Sequence, residues 1–228
     1  MKTSVAAGFG LLAMAISGAA LAGFNGITAD LIAVNAVVGD DDVEDPATWT
    51  CRVYAELDQG DQLLGMSGSG ADPMYWAAES QFYNHYAGGP TSLWIDPDIF
   101  PNHVDLPYDS WFTIGADSMY DNVLEIDNVS FSGFNTGGAL YVIDGGFSVS
   151  QESGQGAEQN GRVLVAQLTV LGDFDISILG SINVNGVDAM GDAWSVDGYE
   201  FEINFIPAPA SLALLAVGGM AFRSRRRG

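Results

Sequence analysis

Residues 50–58 read TCRVYAELD, in which Cys51, Val53, Ala55 and Leu57 alternate strictly with Arg52, Tyr54, Glu56 and Asp58. That period of two belongs to a strand with one buried face and one wet face. It places Cys51, the only cysteine of the chain, on the inward side, where a thiol behaves as a small apolar residue. With one cysteine no intramolecular disulfide can form.

The same texture extends on both sides. Asp58-Gln59-Gly60-Asp61 is a turn, and residues 62–66 are expected to return as the hairpin partner of 50–58. Upstream, residues 27–38 (ITADLIAVNAVV) suit a first strand and are followed by the acidic loop GDDDVEDPATW. Downstream, residues 110–115 and 123–131 read as short strands, as do two runs around Gly145-Gly146 within 139–150. Residues 162–171 (RVLVAQLTVL) are the most continuous apolar run, expected as a central strand. Residues 174–179 and 181–184 follow as two strands, the second ending at the turn signal Asn185-Gly186. In 194–205, Phe201, Ile203 and Phe205 alternate cleanly with Glu200, Glu202 and Asn204. No stretch of the body has a helical period. Roughly eight to eleven short strands separated by turns predict an all-β fold, an antiparallel β-sandwich of which the jelly roll is one form.

The ends have a different composition. Lys2, an apolar run over 5–16 and Ala20-Leu21-Ala22 make residues 1–22 a secretory signal peptide. No cysteine follows the cleavage site for acylation, so the route is general export without a lipid anchor. The body, residues 23–206, is long enough for one well-filled core. It holds all 29 acidic residues but only Arg52 and Arg162 as basic ones, a net charge of 2 − 29 = −27. Such a charge repels nucleic acid and anionic membrane surfaces and favours divalent cations. Nucleic acid is therefore not an expected partner.

Residues 207–228 begin with Pro207-Ala208-Pro209, continue through an uncharged run over 210–222, and end in Arg223, Arg225, Arg226 and Arg227. Thirteen residues fall short of the ~20 that cross a bilayer comfortably as a helix. The arginines resist translocation, which keeps that end cytoplasmic. The pattern resembles the PEP-CTERM sorting signal, the substrate tail of exosortases. In that family a Pro-Glu-Pro motif precedes a short membrane helix and a basic cluster, and a transpeptidase-like membrane enzyme processes the chain near the motif. Ala208 stands where the family has Glu. The resemblance implies Pro207, Ala208 and Pro209 as the recognition motif, the exosortase and the secretion machinery as partners, and transient anchoring through a short apolar helix.

Chemistry within the body is sparse. Gly65-Met66-Ser67-Gly68-Ser69-Gly70 misses the G-x-S-x-G elbow, and the two histidines, His85 and His103, form no zinc pattern with the one cysteine. Residues 67–108 are rich in Gly, Pro and aromatics and lack a period, the texture in which function tends to sit. Within 74–111, Trp76, Tyr83, Trp94 and Trp111 are candidate ligand-binding residues, since aromatic rings pack on sugar faces. The plainer reading pins these loops to the core through Trp76, Phe82, Tyr86, Trp94 and Phe100. Calcium is the one metal the residues suggest, through Asp40, Asp41, Asp42 and Glu44 in the first acidic loop and Asp96 and Asp98. Neither set matches an EF-hand.

The expectation is a non-catalytic structural or adhesive protein of the cell surface or extracellular matrix. A carbohydrate-binding module using 74–111 is the alternative, and a secreted polysaccharide hydrolase with two carboxylates the third.

Overall fold

A computed structural model describes residues 23–35, 47–172 and 176–205. The readings made on 1–22, on Asp40, Asp41, Asp42 and Glu44, and on 207–228 lie outside the described residues. Within the described residues no helix is long and apolar enough to cross a membrane.

The described chain is mostly β. Its strands are β1 (Phe24–Val34), β2 (Thr48–Leu57), β3 (Gln62–Gly68), β4 (Met74–Ala78), β5 (Trp111–Phe112), β6 (Glu125–Asp127), β7 (Leu140–Val142), β8 (Gly145–Ser148), β9 (Arg162–Leu171), β10 (Ile176–Val187) and β11 (Ala193–Phe205). Every ladder between them is antiparallel. Four strands form one sheet in the order β1-β2-β9-β5. The other sheet is ordered β6-β8-β3-β10-β4-β7, with β11 also paired to β10. Strands β3 and β4 lie end to end along one edge of β10, and β11 runs along its other edge.

The inward faces of both sheets meet in one apolar core. Val53, Ala55 and Leu168 from the first sheet share it with Met66, Trp76, Ile178, Ile182 and Ile203 from the second. Aromatic edges join the two layers. Phe112 of β5 lies 5.3 Å from the Trp76 ring and 5.8 Å from Phe147, and Trp76 meets Phe201 edge-on at 4.7 Å.

The alternation in 50–58 is realised as β2, with Cys51, Val53, Ala55 and Leu57 all buried. Residues 162–171 are indeed central, since β9 is bonded on one side to β2 and on the other to β5. The hairpin expected between 50–58 and 62–66 does not form. Both edges of β2 are already taken by β1 and β9, so the turn at Asp58–Asp61 carries the chain across to β3 in the other sheet. Asn185-Gly186 is not a turn either. It lies inside β10, which runs unbroken from Ile176 to Val187 and reverses only after it. In β11 the inward set changes phase between Val196 and Phe201. The register slips there, and Gly198 takes a left-handed φ of +62° while its N–H donates to Asn183 Oδ1 at 2.7 Å.

The long irregular stretch roofs the outer face of the four-stranded sheet. Ile95 and Leu106 close over Trp111 and Leu164, with Tyr54, Ile99 and Phe100 at the margin, forming a second, smaller apolar cluster. Strand β9 is therefore buried on both faces. This roof fixes the loops that carry the candidate site.

Candidate functional site

The structure separates the four aromatic candidates. Trp76 is fully buried in the main core and Trp111 is 1% exposed under the roof, so neither can meet a ligand. Both are corrections to the sugar-platform reading, and the reason is pairing. Trp76 shares the inward face of β4 with Met74 while Tyr75 points out, and Trp111 lies against Leu164 beneath Ile95 and Leu106. Tyr83 is half-buried, and burial pushes its phenol up to about 12, with Asp105 and Asp109 adding to the shift. Trp94 is the exception, 63% exposed.

Trp94 lines a cleft of about 460 Å³ together with Asn84, His85, Tyr86, the Gly88-Gly89-Pro90 bend, Asp109 and Asn135. Tyr86, which the plainer reading placed as a core pin, is 86% exposed on its wall. Two open aromatic rings thus border one concavity whose remaining lining is largely polar.

Each wall is built on fixed backbone. Trp94 ends a 3-10 turn, Ser92–Trp94, which the neighbouring segment anchors from below. Ser92 is buried, its Oγ donates to Thr113 Oγ1 at 2.7 Å, and Asn122 Nδ2 donates back to it at 2.8 Å. Phe112 N donates to Pro90 O at 2.9 Å. These bonds tie the turn to the body although its tryptophan is wet. Gly89 lies directly beneath the indole, where a Cβ would stand 2.7 Å from Trp94 Cβ.

The loop that carries Tyr86 hangs on Asp109, which is 1% exposed. Its Oδ1 accepts the backbone N–H groups of His85 at 2.7 Å and Ser110 at 2.9 Å, and its Oδ2 accepts Gly89 N–H at 3.2 Å. A Cβ at Gly88 would overlap Oδ2, so glycine there lets the loop close on the carboxylate. Burial raises the Asp109 carboxyl to about 7 although the three backbone bonds oppose the shift.

His85 completes the loop. Its Nδ1 accepts Ala87 N–H at 3.0 Å, which puts the ring proton of the neutral form on Nε2. Burial, and then the neighbouring His103, lower its pKa, while Asp105 opposes them. The ring stacks on Tyr86 at 4.6 Å, and Tyr86 Oη lies 3.2 Å from His103 Nδ1. Asn84 Nδ2 donates to Phe134 O at 2.7 Å, which ties the loop to the body. Asp109 and His85 hold backbone in this arrangement. The aromatic rings are what it presents outward.

Asp96 and Asp98 have a local role. Asp96 caps the 3-10 turn Pro97–Asn102, its Oδ1 accepting Asp98 N–H at 3.0 Å and Tyr120 Oη at 3.2 Å. Hydrogen bonding to the two carboxylates pushes the Tyr120 phenol up to about 12. Among the described residues no group of three or more His, Cys, Asp or Glu side chains is placed to hold a metal ion.

Sequence reasoning missed Tyr86, Asn84, Asn135 and Asp109 as parts of a site. The one signal available was the bend Gly88-Gly89-Pro90 next to Tyr86, which marks a loop tip able to carry an exposed ring. Compared with known proteins, the chain matches no family model, no curated protein and no solved structure.

Proposed function

We propose that the chain is an exported, non-catalytic adhesive protein of the cell surface or extracellular matrix, whose acidic β-sandwich body binds neutral polysaccharide in the Trp94–Tyr86 cleft. The observation that carries this reading is that Trp94 (63% exposed) and Tyr86 (86% exposed) both line one concavity. Aromatic rings open on one concavity offer flat apolar faces, which the apolar CH faces of a pyranose ring match. The amides of Asn84 and Asn135 at the cleft suit sugar hydroxyls, being both donors and acceptors. The net charge of −27 argues for a neutral polymer rather than a densely anionic one.

Export and sorting rest on the two ends of the sequence. Residues 1–22 would be removed on secretion, and the Pro207-Ala208-Pro209 tail would be read by an exosortase after transient anchoring.

Two measurements test the proposal. Affinity electrophoresis of the full-length protein through gels containing neutral polysaccharides should show retardation. That retardation should weaken about tenfold or more with Trp94→Ala or Tyr86→Ala, as expected when a central aromatic contact is removed. Migration indifferent to every polysaccharide would end the binding reading. Mass spectrometry of both termini of protein from its native cell should give a start near Gly23 and an end near Pro207 to Ala210. An intact Gly228 in the membrane fraction would end the sorting reading.

A further inference from the structure

Arg52 and Arg162 are the only lysine or arginine residues among those described, and both line one cleft of about 280 Å³ on the outer side of the four-stranded sheet. Tyr54 also lines it, two residues from Arg52 along β2, and the Arg162 guanidinium carbon lies 4.2 Å from the Tyr54 ring centroid. In a body with so few cations, this brings the whole positive charge of the described chain to one place.

The two arginines are not equally committed. Arg162 Nη2 donates to Asp30 Oδ2 at 2.9 Å, and that bond raises its pKa. Arg52 is held more loosely, with Nη2 3.6 Å from Asp117 Oδ2 and Nε 3.4 Å from Gln167 Oε1. Both separations exceed the ~2.7–2.9 Å of a close charge-assisted hydrogen bond. The Asp117 side chain is 59% exposed, so it can rotate away as an incoming carboxylate takes its place. The side-chain amides of Gln159 and Asn160 add donors and acceptors at the rim.

We propose that this cleft binds the carboxylate of a single uronic acid residue, the guanidinium of Arg52 forming the bidentate fork and Arg162 adding charge. A planar guanidinium matches a carboxylate in two parallel hydrogen bonds, which a point cation does not. The volume lies at or below the low end of the range for small-molecule pockets, about 300 Å³, and so suits one ring. Asp30 and Glu56 beside Arg162, and Asp117 beside Arg52, offset the two positive charges locally, so the fork geometry of Arg52 rather than net charge selects the ligand. Repulsion from acids farther off is screened beyond about 8 Å at physiological salt. A sparsely carboxylated polysaccharide is therefore admitted, while a dense polyanion meets the whole acidic body. No residue lines both this cleft and that of Trp94, so the proposal stands apart from the one made for the aromatic site.

Titration calorimetry of the full-length protein with sodium glucuronate, glucose and sodium acetate tests it. Glucuronate should bind more tightly than either, and added salt should weaken it. Arg162→Gln and Arg52→Lys should each weaken glucuronate roughly ten- to a hundredfold, the scale of one charged hydrogen-bonded contact. Asp117→Asn, an exposed change that removes the competing carboxylate, should tighten it, while Trp94→Ala should leave it unchanged. Glucose or acetate binding as well as glucuronate would overturn the proposal, as would glucuronate binding that survives both arginine changes. If an arginine variant fails to fold, Asp117→Asn decides: tighter binding supports the site, and unchanged or weaker binding overturns it.

Discussion

Asp109 Oδ1 accepts the backbone N–H of His85 at 2.7 Å, so one buried carboxylate sets the position of the loop that presents Tyr86. An aspartate in water titrates near 4, and in the fold burial pushes Asp109 to about 7. Between those values the folded state keeps a proton that the unfolded chain has released. Its contribution to stability is thus fully present below about pH 4 and declines as pH rises to about 7. At about 1.4 kcal/mol per unit the decline amounts to a few kcal/mol. His85 acts in the opposite sense. Its lowered pKa gives stability present above the ordinary histidine value and lost as pH falls through the folded one. Asp109→Asn removes the first titration and keeps the second. Denaturant unfolding of both proteins between about pH 4 and pH 8 should show wild-type stability falling relative to the variant as pH rises. A difference flat across that range would refute the assignment.

The two tryptophans that sequence could not tell apart should differ sharply in stability. Trp76 is fully buried against Phe112 and Phe201, so Trp76→Ala should cost about 3–5 kcal/mol. Trp94 is 63% exposed, and Trp94→Ala should stay within about 0.5 kcal/mol while weakening saccharide binding. Denaturant midpoints decide it. Equal losses would mean that Trp94 is a packing residue and the cleft is not built for a ligand.

How far the sequence could be read follows from how the faces are covered. In β2 from Cys51 onward one face is only partly covered, and beside Phe201, Ile203 and Phe205 it is open, so the alternation is written in the residues and the strands were legible. Trp111 has no such alternation around it, because the 95–108 roof buries the outer face that would otherwise have been polar. Trp76 was the nearest to legible, since Met74-Tyr75-Trp76 alternates, but three residues are too few to trust. The site was less legible than the fold. Asp109 gains its role from backbone groups some twenty residues away in the chain. A local pattern carries no trace of that, and one aspartate among 29 acids does not stand out.

Glycines in the sheet should sort by what faces them. Gly186 sits in β10 between Leu63 and Trp194, and a Cβ there would overlap the carbonyl oxygen of Gln62 and the Trp194 indole. The carbonyl is backbone and cannot step aside, so Gly186→Ala should destabilise by about 1–3 kcal/mol. Gly70 has nothing within 4 Å of the same position. Gly70→Ala should be neutral, or stabilising by up to about 1 kcal/mol through the unfolded chain. Thermal midpoints that move together in both variants would contradict this.

Cys51 should be chemically silent while the fold holds. It is 1% exposed on the inward face of β2, and burial raises its thiol to about 12, against a weaker opposing bond from the Leu168 backbone. The thiolate is the reactive form, and at neutral pH almost none exists there. A chromogenic disulfide reagent should therefore label no cysteine in the native protein and one in denaturant, with labelling limited by opening of the first sheet. The protein should also run as a monomer on non-reducing gels after air oxidation. Rapid native labelling, or a disulfide-linked dimer, would place Cys51 at the surface and break the reading of 50–58 as a strand with its even-sided residues outward.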